Sequence, residues 1–238
     1  NTVFIALTSQ RNDAHQYIYS LIQKGVKAFV VTHIPNNCKE FENEACFLIV
    51  KDTLQALQSL ATYHRSQFDI PTISITGSNG KTIVKEWLYQ LLKNDYSICR
   101  SPKSYNSQIG VPISIWQLNK QHTLGIFEAG ISEVGEMVIL ENIIKPSIGI
   151  LNSLGTAHNE GFENEEQKLT EKLYLFKNCK TTIINGLSIN ANLNVIEKHL
   201  INPFIISYEQ NAHLQILDIK SEVSITVIKA KYNNSELS

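Results

Sequence analysis

Between Pro71 and Lys93 the sequence gathers six residues able to hold a phosphate, Gly77-Ser78-Asn79-Gly80-Lys81-Thr82. Ahead of them runs the β-rich stretch Thr72-Ile73-Ser74-Ile75-Thr76; behind them Val84, Trp87, Leu88, Leu91 and Leu92 recur at helical spacing. The glycine-rich turn is therefore expected between a strand and a helix N-terminus. A helix start leaves backbone N–H groups unpaired and carries partial positive charge, and glycines let the chain wrap an anion with no Cβ in the way. Lys81 would reach the terminal phosphates of a nucleotide, and Thr82 would offer its hydroxyl to Mg²⁺. The general motif has a glycine five residues before its Gly-Lys pair, where this chain has Ile75. The competing local reading is a capped turn with an incidental Gly-Lys-Thr.

In open α/β sheets ligands bind beyond the carboxyl ends of the parallel strands. Two further polar residues are expected there. Glu128 follows the apolar run Leu124 to Phe127, where a carboxylate can hold Mg²⁺ as a hard oxygen ligand; the alternative is an acidic charge at a helix start in 128–135. His158 lies in the loop after the apolar run Ile148 to Leu151, and by itself it reads as a surface histidine. His15, His33, His64, His122, His199 and His213 have no such setting and are read as structural or solvated.

The elements that would position these groups alternate along the chain. Val3 to Leu7 reads as a strand, and the stripe Tyr17, Ile18, Leu21, Ile22 as a helix closed by Gly25. Ala28 to Thr32 and Phe47 to Val50 read as strands, and Asp52 is placed to cap a helix whose Leu54, Leu57, Leu60 and Ala61 face one way. The polar segment His64 to Asp69 then gives a boundary near residue 68, with one unit over 1–68 and a second over 69–238. In the second unit, strands are expected at 97–100, 123–127, 148–151 and 181–184. Helices are expected near 112–118, 135–144 and 165–177, which predicts a mostly parallel sheet covered on both faces. Beyond residue 200 the pattern changes to alternation. Leu214 and Ile216 against Val223, Ile225 and Val227 suggest an antiparallel hairpin turning near Lys220-Ser221-Glu222.

With 238 residues the chain can bury one large or two modest cores. A formal charge of −1 gives no electrostatic footprint for nucleic acid or an anionic membrane. No run of about 18 apolar residues and no basic-plus-apolar leader appears, so a soluble protein with no role at a membrane is expected. Cys38, Cys46, Cys99 and Cys179 are scattered without a C-x-x-C pair, which favours reduced thiols and a cytoplasmic location.

Five segments in order resemble the Mur ligase family, the ATP-dependent amide-forming enzymes of cell-wall precursor synthesis. Thr76-Gly77-Ser78-Asn79-Gly80-Lys81-Thr82 is similar to its shortened nucleotide loop. Ser104-Tyr105-Asn106-Ser107-Gln108-Ile109-Gly110-Val111-Pro112 looks like its asparagine and Gly-x-Pro segment. Glu128-Ala129-Gly130-Ile131-Ser132 with Gly135-Glu136-Met137 looks like its acidic strand-end motif, and 152–162 is similar to its histidine loop. Glu171-Lys172-Leu173-Tyr174-Leu175-Phe176, with Lys172 fourteen residues after His158, matches the segment whose lysine is carbamylated in many members and bound to a second Mg²⁺. Read locally instead, Lys172 is a solvated helix lysine.

The first unit, with Phe4-Ile5-Ala6-Leu7 and Arg11-Asn12-Asp13-Ala14-His15, is similar to the UDP-muramoyl-peptide-binding domain of the members that add D-alanyl-D-alanine. It departs from the common Asp-Gly-His at Ala14, and Asn185-Gly186-Leu187 departs from an Asn-x-Asp near adenine. The resemblance implies ATP and Mg²⁺ as cofactors and UDP-N-acetylmuramoyl-tripeptide and D-alanyl-D-alanine as substrates. It implies Lys81, His158 and Lys172 as catalytic residues, and Thr82, Glu128, His158 and Lys172 as metal-holding ones. Gly77 to Thr82 with Asn106 would bind the nucleotide. It further implies missing first strands and an absent amine-binding domain, in some relatives followed by a fused alanine racemase, so these residues alone are expected to bind nucleotide without useful turnover. The alternatives are the ligase adding the third peptide residue, a folylpolyglutamate synthase, or a nucleotide-binding module with no ligase activity.

Overall fold

The computed structural model describes residues 2–9, 12–155, 161–187, 193–233 and 235–237. The chain divides into two compact units, Asn1–His64 and Arg65–Ser238.

In the first unit three short strands, β1 (Val3–Ile5), β2 (Ala28–Val31) and β3 (Cys46–Ile49), form a parallel sheet in the order β1-β2-β3. Ala6, Ile18, Phe29, Val31, Cys38 and Ala45 make its buried core, with Leu21 and Ile22 of α1 (Ile18–Gln23) packed against it. Helix α2 (Thr53–Ser66) starts where Asp52 Oδ1 accepts the N–H groups of Leu54 at 2.7 Å and Gln55 at 3.0 Å, the cap that its sequence position predicts. Asp13 and His15 are joined at 2.6 Å through Nδ1, and the other imidazole nitrogen meets the Thr32 N–H at 3.0 Å.

The second unit is built on a sheet of nine described strands in the order β12-β11-β10-β9-β8-β7-β4-β6-β5. Its central strands are β4 (Thr72–Thr76), β6 (Leu124–Glu128) and β7 (Ile148–Leu151), with β5 (Ile98–Arg100) at one edge and β8 (Thr181–Asn185) beyond β7. These pair in parallel, and every residue of β4 and β6 is buried. Helices α3 (Lys81–Leu92), α4 (Gly110–Ile115), α5 (Glu136–Ile144), α6 (Glu165–Leu173) and α7 (Leu193–His199) fall between strands. The chain leaves β4, makes β5 at the edge, returns to β6 beside β4 and crosses to β7 on its other side. β4 is thus a switch point whose carboxyl end opens a crevice.

Several sequence expectations change. The division falls at His64/Arg65 rather than near residue 68, because the Arg65 guanidinium is committed to the second unit. Its Nε donates to Ile144 O at 2.9 Å, Nη1 to Phe68 O at 2.5 Å, and Nη2 to Ile70 O at 3.2 Å and Thr72 Oγ1 at 3.3 Å. On α3, Val84, Leu88 and Leu92 pack on the sheet, whereas Trp87 and Leu91 face outward, so the inner stripe is narrower than the apolar pattern suggests. The hairpin joins β10 (Leu214–Ser221) to β11 (Thr226–Tyr232), and its turn is closed by the Glu222 N–H on Ile225 O at 2.8 Å. Val223 and Ile225 therefore lie in the turn. Strand β9 (Pro203–Ser207), parallel to β8, is added to the expected set; its proline opens the strand, where a missing N–H does no harm. A short β12 (Ser235–Leu237) and α7 are also additions.

Candidate functional site

The Gly77–Gly80 turn joins β4 to α3 at that crevice. Gly77 (φ 151°) and Gly80 (φ 77°) adopt backbone that side chains resist, and a Cβ on Gly80 would lie 2.6 Å from Asn152 Nδ2. The first half of the turn is fixed by the loop after β7. Ser78 N donates to Ser153 O at 3.0 Å, Asn79 N to Ser153 Oγ at 2.9 Å, and Asn152 Nδ2 to Asn79 O at 2.8 Å. Ser78 Oγ donates to Gly155 O at 3.1 Å and accepts the Gly155 N–H at 2.9 Å. The second half is left open: among the described residues no protein acceptor takes the N–H groups of Gly80, Lys81 or Thr82. Those donors head α3 and point where an anion would sit.

Lys81 is half-buried and folds back so that its Nζ donates to Gly77 O at 2.6 Å. Burial lowers the pKa of this ammonium, against a smaller raising effect of Glu128. Thr82 Oγ1 donates to Glu128 Oε2 at 3.1 Å and lies 3.1 Å from Ser104 Oγ. Glu128, the last residue of β6, is fully buried, and its own N–H donates to Ser101 Oγ at 3.1 Å. Asn106 is half-buried beside the same strand end, where its carbonyl accepts the Gly130 N–H at 2.8 Å. The structure thus brings Gly77 to Thr82, Glu128 and Asn106 to one crevice.

These donors fit a hard divalent cation. Among the described residues, the buried Glu128 Oε1 accepts no aligned hydrogen bond and is paired with Lys85 Nζ at 3.0 Å. Thr76 Oγ1, at the end of β4, is likewise buried with no hydrogen-bond partner among the described residues. A carboxylate and hydroxyls, in place of thiol or imidazole groups, suit Mg²⁺.

Lys172 corrects the local reading of a solvated lysine: it is 3% exposed. Helix α6 is locked by two devices. Asn164 Oδ1 accepts the Gln167 N–H at 2.8 Å while Gln167 Oε1 accepts the Glu163 N–H at 2.7 Å, a reciprocal cap. Glu171 Oε1 accepts the N–H groups of Gly135 at 2.8 Å and Met137 at 3.1 Å, so it caps α5 from a neighbouring helix. With Leu169, Leu173 and Phe176 buried, Lys172 is turned inward. Its pKa is lowered to about 8, first by burial and then by the positive charges of Lys81 and Lys168. His158 lies outside the described residues.

Sequence reasoning missed Lys85, Lys168, Ser101, Asn152 and Ser153. Lys85 had a signal, a charge one turn after Lys81 beside the inward Val84 and Leu88 of α3. Ser153 had none, since its role depends on β7 lying beside β4.

A mostly parallel sheet with a glycine turn at its switch point, beside a buried strand-end carboxylate, is the architecture of a P-loop domain. Residues 75–238 match the model of the Mur ligase middle domain, and the chain belongs to the Mur ligase family. It is 31% identical over 193 residues to UDP-N-acetylmuramoyl-tripeptide–D-alanyl-D-alanine ligase of Borreliella burgdorferi, covering 79% of this chain and 42% of that protein. With the ligase of the same name from Rickettsia prowazekii it shares 34% over 198 residues, 83% of this chain and 42% of the other. The crystal structure of MurF ligase from Thermotoga maritima in complex with ADP has the same fold. The TM-score is 0.86 at 24% identity, over 100% of this chain and 54% of that one. The chain thus spans about two fifths of the length of the curated relatives it matches.

Proposed function

We propose that the chain is the part of an ATP-dependent amide ligase that binds the UDP-muramoyl peptide and the nucleotide, in a cytoplasmic step of peptidoglycan precursor synthesis. The whole protein would join D-alanyl-D-alanine to UDP-N-acetylmuramoyl-tripeptide through an acyl phosphate. The observation that carries this reading is the Thr82–Glu128 contact beside the open N–H groups of α3, in a chain 31% and 34% identical to ligases of that name.

A carboxylate attacking the γ-phosphate of ATP meets like charge, so the site must concentrate positive charge between them. The N–H groups of Gly80 to Thr82 would cradle the phosphates, and Lys81 would swing from Gly77 O to the transferring group. Thr82 and Glu128 would hold Mg²⁺, which when bound neutralises the phosphate oxygens. Asn106 would complete the nucleotide site from the far side of Glu128. Lys172, as a carbamate, would act with His158 to hold a second Mg²⁺ near the carboxylate of the tripeptide. Carbamylation converts a cation into an anionic oxygen ligand and needs the neutral amine, which a pKa near 8 supplies far more readily than the ordinary 10.5. The first unit, through His64, would bind the UDP-muramoyl end and the second, from Arg65, the nucleotide. The amine would be held by the part of the family's fold beyond these residues, so useful turnover belongs to the whole protein.

The test is ADP release by the whole protein with ATP and Mg²⁺. Release that requires both the UDP-linked tripeptide and D-alanyl-D-alanine supports the reading. Release with a single amino acid as acceptor, or with a folate acid, would overturn it.

A further inference from the structure

Lys85 sits one turn after Lys81 on α3 and is fully buried, on a helix face otherwise shared with apolar Val84, Leu88 and Leu92. A buried ammonium is costly unless its N–H groups are matched by oxygens, and here they are. Lys85 Nζ donates to Ser101 O at 2.7 Å and to Lys103 O, pairs with Glu128 Oε1 at 3.0 Å, and lies 3.3 Å from Glu86 Oε1. We propose that Lys85 is a positioning residue of the nucleotide site. It holds Glu128 and the Ser101–Lys103 segment against the P-loop helix, so that the oxygens of Glu128, Thr82 and Ser104 converge before a ligand arrives. This rests on the nucleotide and Mg²⁺ reading above and adds a residue that does not touch the ligand.

Three observations support the assignment. A buried ion pair contributes little to stability compared with apolar groups of the same shape, so a lysine and a glutamate in this core have a role other than packing. Ser101 is held twice, its carbonyl by Lys85 and its hydroxyl by the Glu128 N–H, which ties β5 to the end of β6 through one residue. Lys103 has φ 49°, left-handed backbone uncommon for a residue with a side chain, and its carbonyl is held by the Lys85 ammonium. The next residue, Ser104, is the one that meets Thr82, and Asn106 follows two residues later. One cation therefore sets the carboxylate and the loop that faces it.

Calorimetry with ADP, once in excess EDTA and once in excess Mg²⁺, tests this. The ratio of the two affinities measures the metal contribution separately from the P-loop N–H contribution. Lys85→Met is expected to keep the EDTA affinity of the parent and to lose about tenfold or more of the Mg²⁺ ratio, the range seen when a partner behind a metal ligand is removed. In a Glu128→Gln background the same change should have no further effect on the ratio. An unchanged ratio in Lys85→Met, or equal loss of both affinities, would overturn the proposal. Should Lys85→Met not fold, Glu128→Gln is compared with the Lys85→Met/Glu128→Gln pair, in which no charge is left unpaired. Equal ratios then support the proposal, and a further loss of EDTA affinity overturns it. A parent whose affinity ignores Mg²⁺ overturns the metal reading itself, and the proposal with it.

Discussion

Ser153 meets Asn79 twice, accepting its N–H at 2.9 Å and donating to its carbonyl at 3.0 Å through the same hydroxyl. The loop after β7 therefore holds the outer half of the P-loop in shape. The N–H groups of the inner half, Gly80 to Thr82, have no acceptor among the described residues. Holding donors in place in advance removes part of the ordering cost of binding.

Ser153→Ala should therefore weaken nucleotide binding without abolishing it. Asn79 is exposed, so water can replace the lost partner and the net cost should be about 1 kcal/mol, roughly fivefold in Kd. Calorimetry with ADP checks this. A hundredfold loss would mean that the hydroxyl touches the nucleotide itself.

Lys81→Ala should be more severe, because the side chain is the phosphate partner of the proposed site and, by its bond to Gly77 O, part of the turn. A loss of more than about tenfold in ATP affinity is expected, the range for a charge-assisted contact. Unchanged affinity would remove the P-loop from the nucleotide site.

How much of this was legible in the sequence follows from how local each feature is. The Gly77–Thr82 turn and the strand end at Glu128 are read from spacing alone, since each depends on a strand and the residue after it. The burial of Lys172 is not, because lysines are mostly exposed. Beside the apolar stripe Leu169, Leu173 and Phe176, the grip of Glu171 on the start of α5, 36 and 34 residues away in sequence, helps turn that face of α6 inward. Lys85 is hidden for a related reason: its partners Ser101, Lys103 and Glu128 come from other elements. The apolar pattern of α3 overstates the inner stripe, since Trp87 and Leu91 are apolar and yet exposed.

Arg65 offers a test of stability rather than ligand binding. It is 7% exposed and donates to three backbone carbonyls and Thr72 Oγ1, all in the second unit. Arg65→Ala would strip several buried carbonyls at once, with an expected loss of about 3 kcal/mol or more. Arg65→Lys should recover little, because a single ammonium cannot span the positions of a planar fork. Thermal unfolding of the three proteins checks this, and a melting temperature in Arg65→Ala equal to the parent's would refute it.

Lys172 should leave a mark on the pH dependence of stability. Its pKa falls from 10.5 when unfolded to about 8 when folded, so between these values the folded chain holds fewer protons than the unfolded one. Stability then rises with pH across that window, because deprotonation removes a buried cation from beside Lys81 and Lys168. In CO₂-free buffer Lys172→Met should therefore be more stable than the parent at pH 7, and this advantage should shrink as pH approaches 10. The half-neutral amine near pH 8 is also the form that takes up CO₂. With isotope-labelled bicarbonate at that pH the parent should show a carbamate carbon that Lys172→Met lacks. In the whole protein Lys172→Ala should nearly abolish turnover, leave ATP binding largely intact, and regain part of its activity with a short added carboxylate. Full turnover in Lys172→Ala would assign the buried amine a purely structural place.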